Sequence, residues 1–439
     1  MSGLNFLNKL LDGVDVEWLP LGELGDFIRG NGLQKKDFVE SGFPAIHYGQ
    51  IYTRYGLSAD KTFTYVLPEL ANKLRKAQKN DLLLATTSEN DEDVVKPLAW
   101  LGDNVAISGD MMLFRHEQNV KYLAYFFQSE IFQTQKMKYI TGAKVRRVSS
   151  GDLSKIKIPI PCSNNPEKSL AIQSEIVRIL DKFTALTAEL TAELTAELNM
   201  RKKQYNYYRD QLLSFDEEQE KPIYLKKLLD GVEVEWKTLE DISIKISSGG
   251  TPKTGVSEFY DGDIPWLRTQ EVNFCDIWDT EVKITESGVK NSSAKWIPKN
   301  CVIVAMYGAT VGKIGINKIP MTTNQACANI QLNEEVAHYR YVFHFLCSQY
   351  TYIKSLGTGS QTNINAQIVK NIKIPIPCPD NPEKSLAIQS EIVRILDKFD
   401  TLTNSITEGL PREIELRQKQ YEYYRDLLFS FPKPETVSN

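Results

Sequence analysis

The sequence predicts two similar mixed α/β (α+β) domains in tandem, joined by two long helices that form an antiparallel coiled coil, with a pseudo-twofold internal repeat. Three observations carry this prediction. Segments of the first half return almost unchanged in the second, at an offset of 216 to 218 residues. Each half ends in a long stretch with apolar residues at helical spacing, and short alternating apolar runs precede that stretch.

The repeat is uneven along each half. PEKSLAIQSEIVRILDKF occurs at residues 166–183 and again at 382–399, and KLLDGVDVEW at 9–18 returns as KLLDGVEVEW at 227–236. Between these conserved segments, residues 30–150 and 245–365 barely resemble each other. A duplicated enzyme can also drift apart, but drift alone would not spare the flanks so sharply. The pattern therefore indicates two similar frames that carry two different inserts.

The frame segments are predicted to be long helices. Asn165-Pro166 and Asn381-Pro382 each place an N-cap residue before a proline at the first helical position. The 48 residues of Lys168–Phe215 would span ~72 Å as a helix. Its apolar stripe consists of Ile176, Ile179, Leu180, Phe183, Leu186, Leu190, Leu194, Leu198, Tyr205, Tyr208, Leu212 and Phe215. Such a stripe needs a partner helix, and we expect the second copy to supply it.

The two helices differ in the middle. The first reads TAELTAELTAEL at 187–198, whereas the second contains Gly409 and Pro411, which we expect to weaken or kink it. The alternating runs FPAIHYGQI, DLLLATT, IPWLRTQEV and CVIVAMYG predict short strands in the inserts. The predicted domains are residues 1–165 and 227–381, with helices at 166–215 and 382–431, a linker at 216–226 and a disordered tail at 432–439.

Composition restricts the class of protein. Of the 439 residues, 42% are apolar and 25% are charged, and no apolar run approaches the roughly 18 residues that cross a bilayer. The six cysteines form no CxxC pair, which argues against a zinc site or a disulfide framework and favours a reduced, cytoplasmic protein. Because the net charge is −4, any DNA-binding surface must be local or supplied partly by partners.

Recognisable catalytic motifs are missing. GATVGKIG at 308–315 resembles a phosphate loop, but its glycines are too close together and Ile314 replaces the Ser/Thr that would hold magnesium. The adenine-methyltransferase signature, a His-Glu-x-x-His motif and a nucleophile elbow are all absent from the sequence. The sequence therefore favours a binding protein without a metal or catalytic site.

The inserts carry side chains suited to nucleic acid. Arginine and lysine contact guanine or phosphates, and asparagine and glutamine pair with adenine edges. The candidates in the first insert are His47, Tyr48, Gln50, Arg54, Lys144, Arg146 and Arg147. Those in the second are Arg268, Thr269, Gln270, Tyr307, Lys313, Asn324, Gln325, Ser360, Gln361 and Asn363. Polar loops of this kind are also ordinary solvated turns. Trp18, Trp236 and Trp266 are expected in cores.

These features together resemble a known family. The duplicated frame, IPWLRT, GATVGK, the TGAKVRRVSS and GTGSQTNIN loops before IKIPIP, and the QSEIVRILDKF helix are similar to the specificity (S) subunit of type I restriction-modification enzymes. The TAEL tetrads look like those of the type IC subgroup. The resemblance covers nearly the whole chain, and the order and duplication of the motifs make it specific.

The resemblance implies a non-catalytic DNA-recognition subunit. In this family, two target recognition domains each read one half of a split, asymmetric DNA site, and the long helices dock two methyltransferase (M) subunits. Two restriction (R) subunits complete the complex. The cofactors S-adenosylmethionine, ATP and Mg²⁺ would be used by the partners, and none by this chain.

The tetrads would then act as a spacer. Each four-residue unit lengthens a helix by ~6 Å and rotates the remainder of that helix by about 40°. Stacked base pairs are about 3.4 Å apart, so one tetrad should change the distance between half-sites by roughly one or two base pairs. We expect Leu186, Leu190, Leu194 and Leu198 to be the packing positions of this spacer helix.

Two other interpretations of the sequence remain open. A coiled-coil scaffold whose variable domains bind proteins would show the same repeat, and it would not shift duplex DNA together with M subunits. A fused enzyme with an unrecognised active site would bind S-adenosylmethionine or ATP by itself.

Overall fold

The computed structural model describes residues 11, 13–215, 223–229, 232–357, 363–404 and 408–431. The chain divides into two compact units, which we call unit 1 (Met1–Ala192 with Glu415–Asn439) and unit 2 (Glu193–Ile414). Most of the predicted linker, residues 216–222, and the predicted tail, residues 432–439, lie outside the described residues.

Unit 1 contains thirteen strands among its described residues. They are β1 Val16–Pro20, β2 Gly25–Arg29, β3 Phe43–Ile46, β4 Ser58–Ala59, β5 Thr64–Val66, β6 Lys76–Ala77, β7 Leu82–Ala85, β8 Thr87–Ser88, β9 Lys96–Trp100, β10 Val105–Ile107, β11 Met111–His116, β12 Arg146–Arg147 and β13 Lys157–Pro161. Its helices are α1 Leu21–Leu24, α2 Tyr48–Thr53, α3 Pro68–Ala71, α4 Val120–Gln128, α5 Glu130–Lys136, α6 Ser150–Leu153 and the start of α7 Pro166–Leu213.

Unit 2 follows a similar order with eleven strands among its described residues. Its strands are β14 Val234–Thr238, β15 Ser243–Ser248, β16 Tyr260–Leu267, β17 Cys275–Ile277, β18 Lys283–Ile284, β19 Trp296–Ile297, β20 Val302–Ala305, β21 Ile314–Asn317, β22 Met321–Thr323, β23 Cys327–Leu332 and β24 Lys373–Pro377. Its helices are α8 Ile223–Leu228, α9 Glu286–Lys290, α10 Tyr339–Ser348, α11 Tyr350–Ser355, α12 Ala366–Lys370 and α13 Pro382–Asn404, followed by α14 Gly409–Phe429, which continues into unit 1.

The two inserts share one topology although their sequences barely match. Unit 1 has a five-stranded sheet in the order β2-β11-β7-β9-β4 and a four-stranded sheet in the order β5-β3-β10-β6. Unit 2 has the corresponding orders β15-β23-β20-β21-β17 and β18-β16-β22-β19. The parallel pairs also correspond, β3 with β10 and β16 with β22, and β4 with β9 and β17 with β21. The inserts are therefore two versions of one fold.

The near-identical frame segments form equivalent contacts in both units. Strand β1 pairs with β13, and β14 pairs with β24, in the same antiparallel register. The hydroxyl of Tyr122 donates to the Pro159 carbonyl at 2.7 Å, and that of Tyr341 donates to the Pro375 carbonyl at 2.7 Å. The strand pairs join the strand at the start of each half to the strand before its long helix, which explains why widely separated segments are duplicated together, and the tyrosine bonds attach α4 and α10 to that second strand.

The long helices follow the sequence prediction closely. Helix α7 is unbroken over 48 residues, and the Asn165 side chain accepts from the amide of Lys168 at its start. The second helix is interrupted between α13 and α14, and Gly409, at the start of α14, has a φ of +80°, which glycine adopts without strain. The expected weakening of the helix at Gly409 is confirmed, whereas Pro411 lies within the first turn of α14.

The long helices pack on each other within each unit. In unit 1 the ring of Phe183 stacks on that of Tyr424 at 5.4 Å, and the Tyr421 hydroxyl lies 3.1 Å from that of Thr184. The order of these partners is reversed along the two helices, as an antiparallel pair requires. In unit 2, Tyr208 stacks on Phe399 at 5.5 Å.

Two details of the sequence prediction are corrected. The strand expected through FPAIHYGQI ends at Ile46, because the side chains of His47 and Gln50 cap α2 instead. Trp266 is buried as expected and Trp18 is half-buried, but Trp236 is 49% exposed, so the core prediction for Trp236 is wrong. Leu186 is 51% exposed, whereas Leu190, Leu194 and Leu198 are half-buried. In the described ranges no helix is both long and apolar enough to cross a membrane.

Candidate nucleic-acid interface

Polar loops of unit 1 meet at one end of its two sheets. The Tyr48 amide, at the start of α2, donates to the Ser108 hydroxyl of the β10–β11 turn at 3.0 Å. The Tyr52 hydroxyl, also on α2, donates to the Thr87 carbonyl at 2.9 Å. Strand β8, which contains Thr87, pairs with β12 in the predicted basic loop. The structure therefore brings the 47–54 and 144–147 candidates to one surface, although almost 100 residues separate them.

The equivalent loops of unit 2 meet in the same way. The Thr310 hydroxyl donates to the Thr269 carbonyl at 2.7 Å, and the Met306 amide donates to the Ala326 carbonyl at 2.8 Å. The amide of Ile364 donates to the Met306 carbonyl at 3.0 Å. These bonds connect the loops that follow β16, β20 and β22 with the segment before α12. The candidates Ser360 and Gln361 of that segment lie outside the described residues.

The loops correspond at two positions in the two units. His47 and Arg268 both precede a short helical turn, and the backbone amide of each donates to the side chain three positions later, that of Gln50 at 2.8 Å and that of Glu271 at 3.3 Å. Val95 and Gly312 both have left-handed backbone angles, with φ of +68° and +78°. Each lies just before a strand, Val95 before β9 and Gly312 before β21. For a β-branched residue such as Val95 this conformation is strained.

Some candidates already have structural partners. His47 is 8% exposed, and its Nδ1 accepts from the Gly49 amide at 3.2 Å. Burial lowers the pKa of His47, and the nearby charge of Lys35 lowers it further. Gln50 accepts from the His47 amide at 2.8 Å and lies 3.2 Å from the Thr64 hydroxyl. DNA contact by these two side chains remains a prediction, and holding α2 in place is their observed role.

Carboxylates partly neutralise two of the candidate arginines. The Arg146 Nε lies 2.8 Å from Asp91, and Arg268 lies 2.9 Å from Glu281 and 3.5 Å from Glu271. A guanidinium that is paired in this way has a fixed orientation, and it keeps further N–H donors for another acceptor.

Other candidates of unit 2 are held by amide groups. The Lys313 ammonium donates to the Asn273 side chain at 2.8 Å, and the Asn324 side chain accepts from the Ala326 amide at 3.1 Å. Within the part of the chain that the structure describes, the buried Oδ1 of Asn363 has no hydrogen-bond partner. The amides of Val311, Gly312 and Lys313 bond to backbone carbonyls, so they do not form the free cradle that a phosphate loop needs.

The remaining candidates are exposed or half-buried, and the side-chain oxygen of Gln325 accepts from the Thr251 hydroxyl. The exposed ones are Arg54, Lys144 and Arg147 in unit 1, and Gln270, Tyr307 and Gln325 in unit 2. The half-buried Tyr48 and Thr269 complete the set. Sequence reasoning missed Phe63, whose ring is 56% exposed and lies 5.9 Å from the Arg54 guanidinium. A lone phenylalanine in a strand-like run gave no signal of this exposure.

A wholly buried lysine anchors the loop beside Arg146. The Lys136 ammonium donates to the carbonyls of Glu92 and Val94 at 2.8 and 2.9 Å, and Asp91 of the same loop binds Arg146. Burial lowers the pKa of Lys136 to about 8, although the charges of Asp93, Asp91 and Glu92 oppose the shift. Neither the sequence spacing nor a motif indicated this anchor.

Lys136 predicts a pH dependence of stability. Its pKa is 10.5 in the unfolded chain and about 8 in the folded one, so the unfolded state binds more protons between these values. The contribution of Lys136 to stability should therefore rise as the pH increases from 8 towards 10. We expect the difference in unfolding free energy between wild type and Lys136→Met to change in this direction in urea titrations at pH 7, 8 and 9. A difference independent of pH would contradict the assignment.

Comparison with known proteins identifies the family. A family model for the type I restriction modification DNA specificity domain matches residues 13–200 and 231–416, which together are most of the chain. The chain belongs to this family. The specificity subunit of the Escherichia coli type I restriction enzyme EcoR124I/EcoR124II is 44% identical over 449 residues, with 100% of both chains covered. A putative type I restriction enzyme specificity subunit of Haemophilus influenzae is 31% identical, with 97% of this chain and 98% of the relative covered.

A solved structure supports the fold of this specificity subunit. A chain from work on complex assembly and conformational transition of the type I R-M system aligns with a TM-score of 0.62 at 15% identity. The alignment covers 94% of this chain and 97% of the other. The predicted fold, with two tandem domains and two long helices, and the predicted family are both confirmed.

Proposed function

We propose that the loop end of unit 1 and the loop end of unit 2 each read one half of a bipartite, asymmetric DNA site. One observation carries this proposal: the two units share their strand order, while the side chains on the corresponding loops differ. Two domains with a common scaffold and different loop residues are suited to recognising two different DNA half-sites in the same manner.

The exposed residues indicate how each half is read. Arg54, Lys144 and Arg147 of unit 1 offer guanidinium and ammonium donors for guanine edges and phosphates. Gln270 of unit 2 offers an amide group that matches an adenine edge, and Gln325 keeps its NH2 donors while its Oε1 accepts from the Thr251 hydroxyl. His47, Gln50, Lys313 and Asn324 orient these loops through their internal hydrogen bonds.

The chain would work inside a larger complex. We infer that the long helices set the distance between the half-sites and dock two M subunits, and that two R subunits join them. S-adenosylmethionine, ATP and Mg²⁺ would serve these partners, so this chain contributes specificity rather than catalysis. The cytoplasm, which holds the chromosomal DNA of a bacterium, would be its site of action.

A methylation map tests this proposal. N6-methyladenine is mapped at base resolution in the host genome, with and without this gene. Loss of one split motif on deletion supports the proposal, and an unchanged map contradicts it. A duplex DNA that is shifted by the complex with M subunits, but not by M alone, separates DNA recognition from a protein-binding scaffold.

The basic loop of unit 1 predicts a salt effect. Lys144→Ala or Arg147→Ala should weaken DNA binding and make the slope of log affinity against log salt shallower by about one, because one phosphate contact fewer releases one counterion fewer. The measurement is fluorescence anisotropy of the complex at several salt concentrations. Lys79→Ala is the control. Lys79 is also an exposed lysine, but it precedes β7, whereas the candidate loops lie at the other end of that strand. Equal slopes for all variants would contradict the role of this loop.

A further inference from the structure

The guanidinium of Arg340 connects the variable sheet of unit 2 to a frame helix. Arg340 lies on α10 with 14% of its side chain exposed, and its Nη1 donates to the two carboxylate oxygens of Asp276 at 3.0 and 3.2 Å. Its Nε donates to Asp397 at 2.7 Å, and its Nη2 lies 3.5 Å from Asp400. Asp276 belongs to β17, an edge strand of the five-stranded sheet, whereas Asp397 and Asp400 belong to α13.

The helix end of this contact is rigidly held. The Nε2 atom of His344, whose side chain is wholly buried, lies 2.7 Å from Asp397, and its Nδ1 lies 3.2 Å from the Tyr205 hydroxyl of α7. Burial by itself would raise the pKa of Asp397, but the His344 hydrogen bond and the Arg340 charge outweigh burial and lower it. Asp397 is therefore an ionised, oriented partner for Arg340.

Strand register identifies the equivalent place in unit 1. Asp276 lies opposite Ile316 of β21, and Ile316 also pairs with the first residue of β20. Ser58 lies opposite Ala99 of β9, and Ala99 also pairs with the first residue of β7. Ser58 thus stands where unit 2 has Asp276, and a serine hydroxyl carries no charge to bind a cation on the frame.

The frame cation of unit 1 is correspondingly different. Lys121 of α4 takes the place of Arg340, and its ammonium lies 2.5 Å from Asp181 of α7. Among the described residues of unit 1, Lys121 forms an ion pair with Asp181 of the helix and none with the five-stranded sheet. A single ammonium also lacks the fork geometry that lets Arg340 bind several carboxylates at once.

We propose that Arg340 and Asp276 are positioning residues that hold the sheet of unit 2 at a fixed angle to the helix, and thereby set how strictly the complex selects the distance between half-sites. The inference rests on the proposed function. The candidate loops follow β16, β20 and β22 of unit 2, so rocking of these sheets on α13 would displace the loops along the DNA. A half-buried charge-assisted bond at the sheet edge opposes that movement.

Asp276→Asn tests the proposal with little risk to folding. It removes one carboxylate charge and leaves Arg340 paired with Asp397 and Asp400. Asp279→Asn is the matched control, because Asp279 is 63% exposed near the same strand and pairs with Lys283 at 3.2 Å rather than with the frame. The readout is the initial methylation rate of the full complex on duplexes with the mapped half-sites and spacers of the native length, or one base pair shorter or longer.

The expected result is a change in spacing selectivity alone. Asp276→Asn should reduce the preference for the native spacer by about tenfold, the effect of one charge-assisted hydrogen bond, with the same bases required in both half-sites. Asp279→Asn should behave as wild type. The double change Ser58→Asp with Lys121→Arg, which supplies the missing pair in unit 1, should strengthen the preference for the native spacer.

Several outcomes would overturn the proposal. Unchanged spacer preference in Asp276→Asn would do so, as would lost base preference, which indicates a general folding defect. Hydrogen exchange at residues 275–277 provides a measurement that does not need DNA, and unchanged protection in Asp276→Asn would show that the contact holds nothing in place. A wild-type complex without any sequence-specific methylation would instead refute the proposed function, whatever the exchange data show.

Discussion

Deletion of one tetrad, residues Thr191–Leu194, is expected to abolish methylation at the native spacing. The same half-sites should then be methylated with a spacer shorter by roughly one or two base pairs, because removal of four helical residues shortens α7 by ~6 Å. Helix α7 is continuous through all three tetrads, so the deletion has no loop in which it could be absorbed. The measurement is a base-resolution N6-methyladenine map of cells that carry only the shortened chain.

A control of equal length separates spacing from composition. Glu189→Gln with Glu193→Gln changes two exposed tetrad residues without altering the helix length, and the native spacer should persist. If the deletion variant methylates the native spacing, or if the glutamine variant changes it, the spacer role of the tetrads is wrong.

Phe429→Ala is expected to destabilise unit 1 by about 3–5 kcal/mol, the usual cost of removing a buried aromatic ring. The Phe429 side chain is wholly buried, and its ring lies 5.2 Å from that of Tyr122 and 5.8 Å from that of Phe126. The last turn of α14 thus completes a core that is otherwise built mainly from the first part of the chain. Urea unfolding of the full chain, followed by circular dichroism, measures the change.

The same helix offers a control for the Phe429 prediction. Tyr423 is 63% exposed, and Tyr423→Ala should alter the unfolding free energy by no more than about 0.5 kcal/mol. Similar losses for the two variants would mean that helix propensity, rather than the buried ring, determines the effect.

Prediction from sequence succeeded where the physical cause is local. The Asn-Pro starts of α7 and α13, the unbroken TAEL segment and the break at Gly409 all follow from capping, helix propensity and backbone angles within a few residues. The family could be predicted as well, because the duplicated frame segments are nearly identical and therefore visible in a single chain.

Prediction failed where distant segments determine the outcome. The inserts share one strand order in spite of dissimilar sequences, because strand pairing depends on apolar alternation and backbone geometry rather than on particular side chains. For the same reason the loop candidates could be proposed by residue type, but not sorted into exposed and internally bonded ones. Trp236 illustrates this limit. It ends the same repeated segment as Trp18, yet Trp236 is 49% exposed and Trp18 is half-buried.

The sequence by itself determined the duplicated frame, the long helices with their caps and their break, and membership of the specificity family. Only the tertiary structure decided which loops meet at the end of each unit, that Lys136 anchors the loop beside Arg146, and that Arg340 binds Asp276. The physical reason is that caps and helix periodicity act between near neighbours in the chain, whereas burial and ion pairing depend on side chains that folding brings together from distant positions.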